Sequence, residues 1–229
     1  STYTLDSQGG TIDVSAGSNV YIDNGTLAIN SSTDLKGQGR IAFEGVSVLD
    51  IVGSGFKLKG DEPFLDFFVG TTTFTGLELT IGRDAMLEIG SGEVFNNTEI
   101  DVQGQLTIEG ENNSALAITT VGHTGLLKLD AIGNTDAEFS SSSTITNSGE
   151  LILDHTVGGT GTVVLTATGG LINTGMLSSQ DSAGDLVSPH TISGELDNTG
   201  ILTVNHDLDI QCGSADNHVN GSGSVSGGS

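Results

Sequence analysis

The sequence predicts an all-β chain wound as a single-stranded parallel β-solenoid, and three observations carry the prediction. The words Asn147-Ser-Gly-Glu-Leu, Asn173-Thr-Gly-Met-Leu and Asn198-Thr-Gly-Ile-Leu recur, with their asparagines 26 and 25 residues apart. Each copy ends in a short alternating strand, such as Leu151 with Leu153 or Leu202 with Val204, which puts apolar side chains on one face, with Thr, Glu or Asp largely between or after them. No long window has helical periodicity, and 35 glycines at this density disfavour helices by roughly 1 kcal/mol for each interior position. A strand of about five residues cannot bury its apolar face alone, so the repeats must stack. Sandwich domains would repeat at about 100 residues instead.

Taken in order, the copies run Tyr21 to Ile29 around Gly25, Leu35 to Phe43 around Gly39, Ile81 to Ile89 with Ala85 at the glycine position, Ile100 to Ile108 around Gly104, and Val121 to Leu129 around Gly125. The three strongest copies follow, around Gly149, Gly175 and Gly200, and a further one runs from Val219 to Val225 around Gly223. From Ala85 to Gly200 the spacing grows from 19 to 26 residues. The expectation is one domain over residues 1–229, of about ten turns with 19–26 residues each, cut from a longer array. Asn147, Asn173 and Asn198 are expected to stack as an amide ladder at one corner, and Gly149, Gly175 and Gly200 to supply a positive φ there.

Two stretches break the rhythm. Residues 61–74 gather Phe64, Phe67, Phe68 and Phe74. They read either as a lateral loop that touches a ligand or another chain, or as a thick core layer of stacked rings. Pro189, after Asp185-Leu-Val-Ser, marks a second excursion between turns.

Charge narrows the partners. Twenty-nine acids against six bases give a formal charge of −23, and no lysine or arginine follows Lys128. Such a surface repels phosphate, so nucleic acid and anionic membranes are poor partners, and no apolar run is long enough to insert in a bilayer. Cys212 stands alone, so neither an intrachain disulfide nor a cysteine metal site is expected.

Motifs with chemistry are sparse. A phosphate loop, a dinucleotide fingerprint, His-x-x-x-His and calcium-binding nonapeptides are absent, and Thr-x-Thr rows of the ice-binding kind do not recur in register. The five histidines, His123, His155, His190, His206 and His218, fall on separate turns and read as ordinary turn or surface positions. Asp207 and Asp209 flank Leu208 and face the same way, which makes them the candidate calcium ligands; the plain reading is two solvated carboxylates. No catalytic constellation emerges, since the bases a lyase needs end at Lys128 and the acids are scattered.

The strings Asn147-Ser-Gly-Glu-Leu, Gly158-Gly-Thr-Gly-Thr-Val, Asn173-Thr-Gly-Met-Leu and Asn198-Thr-Gly-Ile-Leu resemble the repeats of large exported bacterial β-helix proteins, the autotransporter passengers and filamentous-haemagglutinin-like adhesins. The resemblance implies an extracellular or cell-surface location and a role as adhesin stalk or matrix and biofilm fibre. It implies as partners further copies of the chain, matrix proteins or surface glycans. Calcium bridging between acidic rods fits that role, and the alternative is a polysaccharide-binding or polysaccharide-cleaving β-helix of lyase or tailspike type.

Overall fold

A computed structural model describes residues 3–7, 9–51, 56–58, 64–76, 78–92, 94–96, 99–115, 119–184, 188–212 and 225–227, with the side chains of 64–72 and 225–227 outside the description. Among these residues there are strands and turns and no helix. The strands form an 11-stranded sheet, two 7-stranded sheets and a separate 2-stranded sheet, and every pairing between named strands is parallel. That is a β-solenoid with three faces.

One turn illustrates the path. Ile145–Asn147 lies in one 7-stranded sheet, the chain bends at Ser148 and Gly149, and Glu150–Val157 crosses the other. Val163–Ala167 then joins the wide sheet before a tight turn at Gly170 starts the next coil. We call the first two faces the asparagine sheet and the leucine sheet.

The leucine sheet earns its name from one interior column. Leu87, Leu106, Leu127, Leu151, Leu177 and Leu202 are paired in register, each at most 5% exposed. Alternation sets this up, because Gly-x-Leu-x-Leu sends every second side chain inward, and parallel register then stacks like on like. In the wide sheet Phe74 stacks on Phe95 at 4.2 Å between ring centroids, and Phe139 meets Phe95 edge-on at 6.5 Å. Such contacts add to the area they bury.

Two expectations need correction. Among the described residues the solenoid has about seven turns, not ten, since seven strands line each of the asparagine and leucine sheets there. Strands before Phe56 extend only the wide sheet and the 2-stranded sheet. The copies around Gly25 and Gly39 mark different corners: Asn19–Asp23 and Thr26–Ile29, on either side of Gly25, both pair with the one long strand Arg40–Ile51, which Gly39 precedes.

The second correction concerns the corner glycines. Gly149, Gly175 and Gly200 do not have positive φ. They are required because backbones stack directly: a Cβ on Gly149, Gly175 or Gly200 would lie 2.2 Å from the carbonyl oxygen of Gly122, Gly149 or Gly175, respectively. Those glycine carbonyls in turn accept the amides of the next coil, Met176 N–H to Gly149 and Ile201 N–H to Gly175, both at 2.8 Å.

The backbone of Phe64–Gly76 is a strand paired with Arg40–Ile51, Phe64 opposite Arg40 and Phe67 opposite Phe43. The side chains of Phe64, Phe67 and Phe68 lie outside the described residues, as do residues 185–187 before Pro189 and most of the copy around Gly223.

Candidate functional site

Three polar constructions stand out within the apolar rod. The first is the amide ladder. Asn147, Asn173 and Asn198 are in register and at most 1% exposed. Asn147 Nδ2 donates to Asn173 Oδ1 at 2.7 Å and to the Met176 carbonyl at 2.8 Å. Asn173 Nδ2 donates to Asn198 Oδ1 at 2.5 Å. A one-residue slip would turn the amides outward and a two-residue slip would set Asn147 against Leu171, so the ladder fixes register. Asn173→Leu is expected to lower stability by about 2 kcal/mol in urea unfolding, the penalty for leaving the buried Asn198 Oδ1 without its donor; a change under a few tenths would refute that role.

The second construction is ionic. Lys128, Asp130 and Asp154 lie on adjacent leucine-sheet strands, with Asp130 opposite Asp154. Lys128 Nζ reaches Asp130 Oδ2 at 2.7 Å and Asp154 Oδ2 at 3.3 Å. Asp154 also accepts from the His155 and Ser182 backbone amides at 2.8 and 3.0 Å and from Ser182 Oγ at 3.0 Å. Burial works against the ammonium, but the hydrogen bond and charge of Asp130, then those of Asp154, outweigh it and hold the Lys128 pKa above lysine's usual value. One turn earlier, burial first and then the charges of Glu88 and Asp130 raise the pKa of Glu109, against the pull of Lys128.

The third is a set of histidines inside the last turns. His155 and His190 are 0% exposed, which corrects the reading of these two as turn or surface residues. The His190 and His206 ring centroids are 4.8 Å apart. Ser179 Oγ, also buried, donates to the His206 carbonyl at 3.0 Å, so its 3.0 Å contact with His190 Nδ1 uses the ring nitrogen as donor. That fixes the neutral tautomer and leaves Nε2 as a bare acceptor, buried and without a hydrogen-bond partner. His206 Nε2 donates to the Ser188 carbonyl at 2.8 Å. His155 Nε2 donates to the Gly133 carbonyl at 3.2 Å, and its Nδ1 faces Asp181 Oδ1 at 3.7 Å.

Asp207 and Asp209 are exposed on either side of Leu208, and Asp209 Oδ2 accepts from Gln211 Nε2 at 2.7 Å. Among the described residues no group of three histidine, cysteine or acidic side chains is placed to hold a metal ion. His123 is exposed. Cys212 Sγ, half-buried, donates to the Gly194 carbonyl at 2.8 Å.

Comparison with known proteins finds no matching family model, no matching curated protein and no matching solved structure. The geometry therefore speaks alone. The leucine column and asparagine ladder hold successive coils in one register, and the ionic cluster and histidines are built into the same stack.

Proposed function

We propose that this chain is a structural and interaction segment of a secreted or surface-exposed bacterial protein, serving as an adhesin stalk or extracellular-matrix module. The observation that supports this most is the uninterrupted interior register, Leu87 to Leu202 in one column, beneath an exterior carrying most of a −23 charge. A stack in which each coil buries its neighbour's apolar face transmits load along its length, and its acidic exterior keeps like rods apart. Association then requires counter-charge. Divalent cations bridging carboxylates of adjacent copies would supply it, without a preformed site in any single chain.

The test is light scattering on chelator-treated protein titrated with calcium at fixed ionic strength. Growth in particle size that reverses with chelator is expected; a size unchanged across millimolar calcium would overturn the bridging role. The alternative reading, a glycan-binding or glycan-cleaving solenoid, has one feature in its favour, a shallow depression lined by Gly169 to Ile172 with Glu195 and Asp197 beside it. Release of reducing ends from a polysaccharide would favour that reading over the stalk.

An exported rod benefits from resisting proteases. All six basic residues lie at or before Lys128, so exhaustive trypsin digestion, even in urea, is expected to leave residues 129–229 as one peptide in a mass spectrum. Cleavage within that peptide would show a non-tryptic contaminant or a misread sequence.

A further inference from the structure

We infer that the interior histidines form an acid-operated latch: protonation of His190 places an unpaired charge in the core of the last turns and opens them, while the preceding turns stay closed. This goes beyond the proposed stalk role and does not rest on it.

His190 opens the wide-sheet strand His190–Ser193, directly beneath Leu208 in the next coil. Its side chain occupies an interior place where the register partner is leucine. It is bound on one side only, through Nδ1 to Ser179 Oγ, and its second nitrogen has neither solvent nor a hydrogen-bond partner. Adding a proton at Nε2 creates an N–H donor with nothing to accept it and a cation beside the His206 ring, and both changes are unfavourable in a low-dielectric interior.

Neighbouring elements offer a charge on His190 little compensation. From the strand Glu150–Val157 come Asp154 and His155; Asp154 is engaged by Lys128, Ser182 and its own turn, and His155 is basic itself. Asp181 lies 3.7 Å from His155 Nδ1, so it answers a charge there. After the strand Ile201–Val204 comes His206, another base. Asp207 meets His190 through its backbone carbonyl, which accepts the His190 amide at 2.9 Å, and both Asp207 and Asp209 have exposed side chains. Val163–Ala167 on the other flank has no titratable group. In agreement, burial first and then the charge of His206 push the His190 pKa down to about 4, with Asp154 and Asp181 pulling weakly the other way and His155 adding to the depression.

The sign follows. The folded value lies below the ordinary histidine value of about 6.5, so the unfolded turn binds the proton more readily. His190 contributes its full stability above about pH 6.5 and loses it progressively as pH falls toward about 4. The Glu109 turn responds in the opposite direction: its raised pKa means that protonation on acidification favours the folded form. Acid thus acts selectively, loosening the histidine turns while relieving repulsion around Glu109.

Hydrogen exchange read by mass spectrometry at pH 7 and pH 4.5, corrected for intrinsic rates, tests this on the intact chain and on His190→Leu. In the wild type, opening of peptides within residues 171–211 is expected to rise by on the order of 50-fold at pH 4.5, with residues 99–129 unchanged or better protected. In His190→Leu the selective rise should vanish. Uniform loosening along the rod, or a variant that keeps the selective rise, overturns the latch. Should the variant fail to fold, the ring titration of His190 by nuclear magnetic resonance in the wild type decides: titration in the ordinary histidine range without loss of nearby amide protection overturns it, and titration well below that range together with opening supports it.

Discussion

Replacing Gly175 by alanine is expected to destabilise the solenoid by at least about 4 kcal/mol and to leave much of the chain insoluble. The added Cβ would sit 2.2 Å from the Gly149 carbonyl oxygen and 2.6 Å from the Ser148 carbonyl carbon. Both obstacles are backbone, so neither can rotate away. Relief requires these two coils to separate, which breaks the hydrogen bonds that the Thr174 and Met176 amides donate to the Asn147 and Gly149 carbonyls. The control is Gly133→Ala. Gly133 has φ of +65° and open space around its missing Cβ, so only the left-handed strain applies, about 1 kcal/mol. Urea unfolding of the two variants should separate them by about 3 kcal/mol. Equal losses would mean that coil spacing does not make glycine necessary at the corner.

What the sequence reveals and what it hides follow from how far apart the interacting residues lie. The solenoid is legible because its period is written in repeated words, and the Asn147, Asn173 and Asn198 column follows once those words are aligned. The turn count is not legible from the same words: Gly25 and Gly39 carry similar ones but occupy different corners, and only strand pairing distinguishes them. The role of glycine is also ambiguous locally, since positive φ and close approach both demand it and only the neighbouring coil decides. His155 carried a readable signal, sharing the parity of Leu151 and Leu153 and therefore facing inward with them. His190 and Ser179 did not, because their contact depends on an excursion of unpredictable length between two strands. Lys128 and Asp154 stand 26 residues apart, and their pairing appears only when Lys128 is placed opposite Ile152, two residues from Asp154 and on the same face of the strand.

Lys128→Met is expected to lower stability by about 3 kcal/mol, more than its single contact with Asp130 would suggest. The Lys128, Asp130 and Asp154 side chains are 18%, 8% and 3% exposed, so water replaces little of what the ammonium supplies. Methionine preserves the apolar stem and removes the charge. Asp130 and Asp154 then face each other in register, partly desolvated, with Thr156 Oγ1 on the first and Ser182 on the second as neutral donors that soften the repulsion without cancelling it. Two pH responses separate this account from a packing defect. In the wild type the Lys128 pKa is raised, so its contribution is complete below about pH 10.5 and is lost as pH climbs through the higher folded value; the variant should lack that alkaline loss. At the acid end the variant should recover stability relative to the wild type as pH falls, because neutralising one of two facing carboxylates removes the repulsion that the substitution created. A variant equally weakened at every pH would assign the loss to packing alone, and would make the cluster a passive part of the leucine sheet instead of its charged clamp.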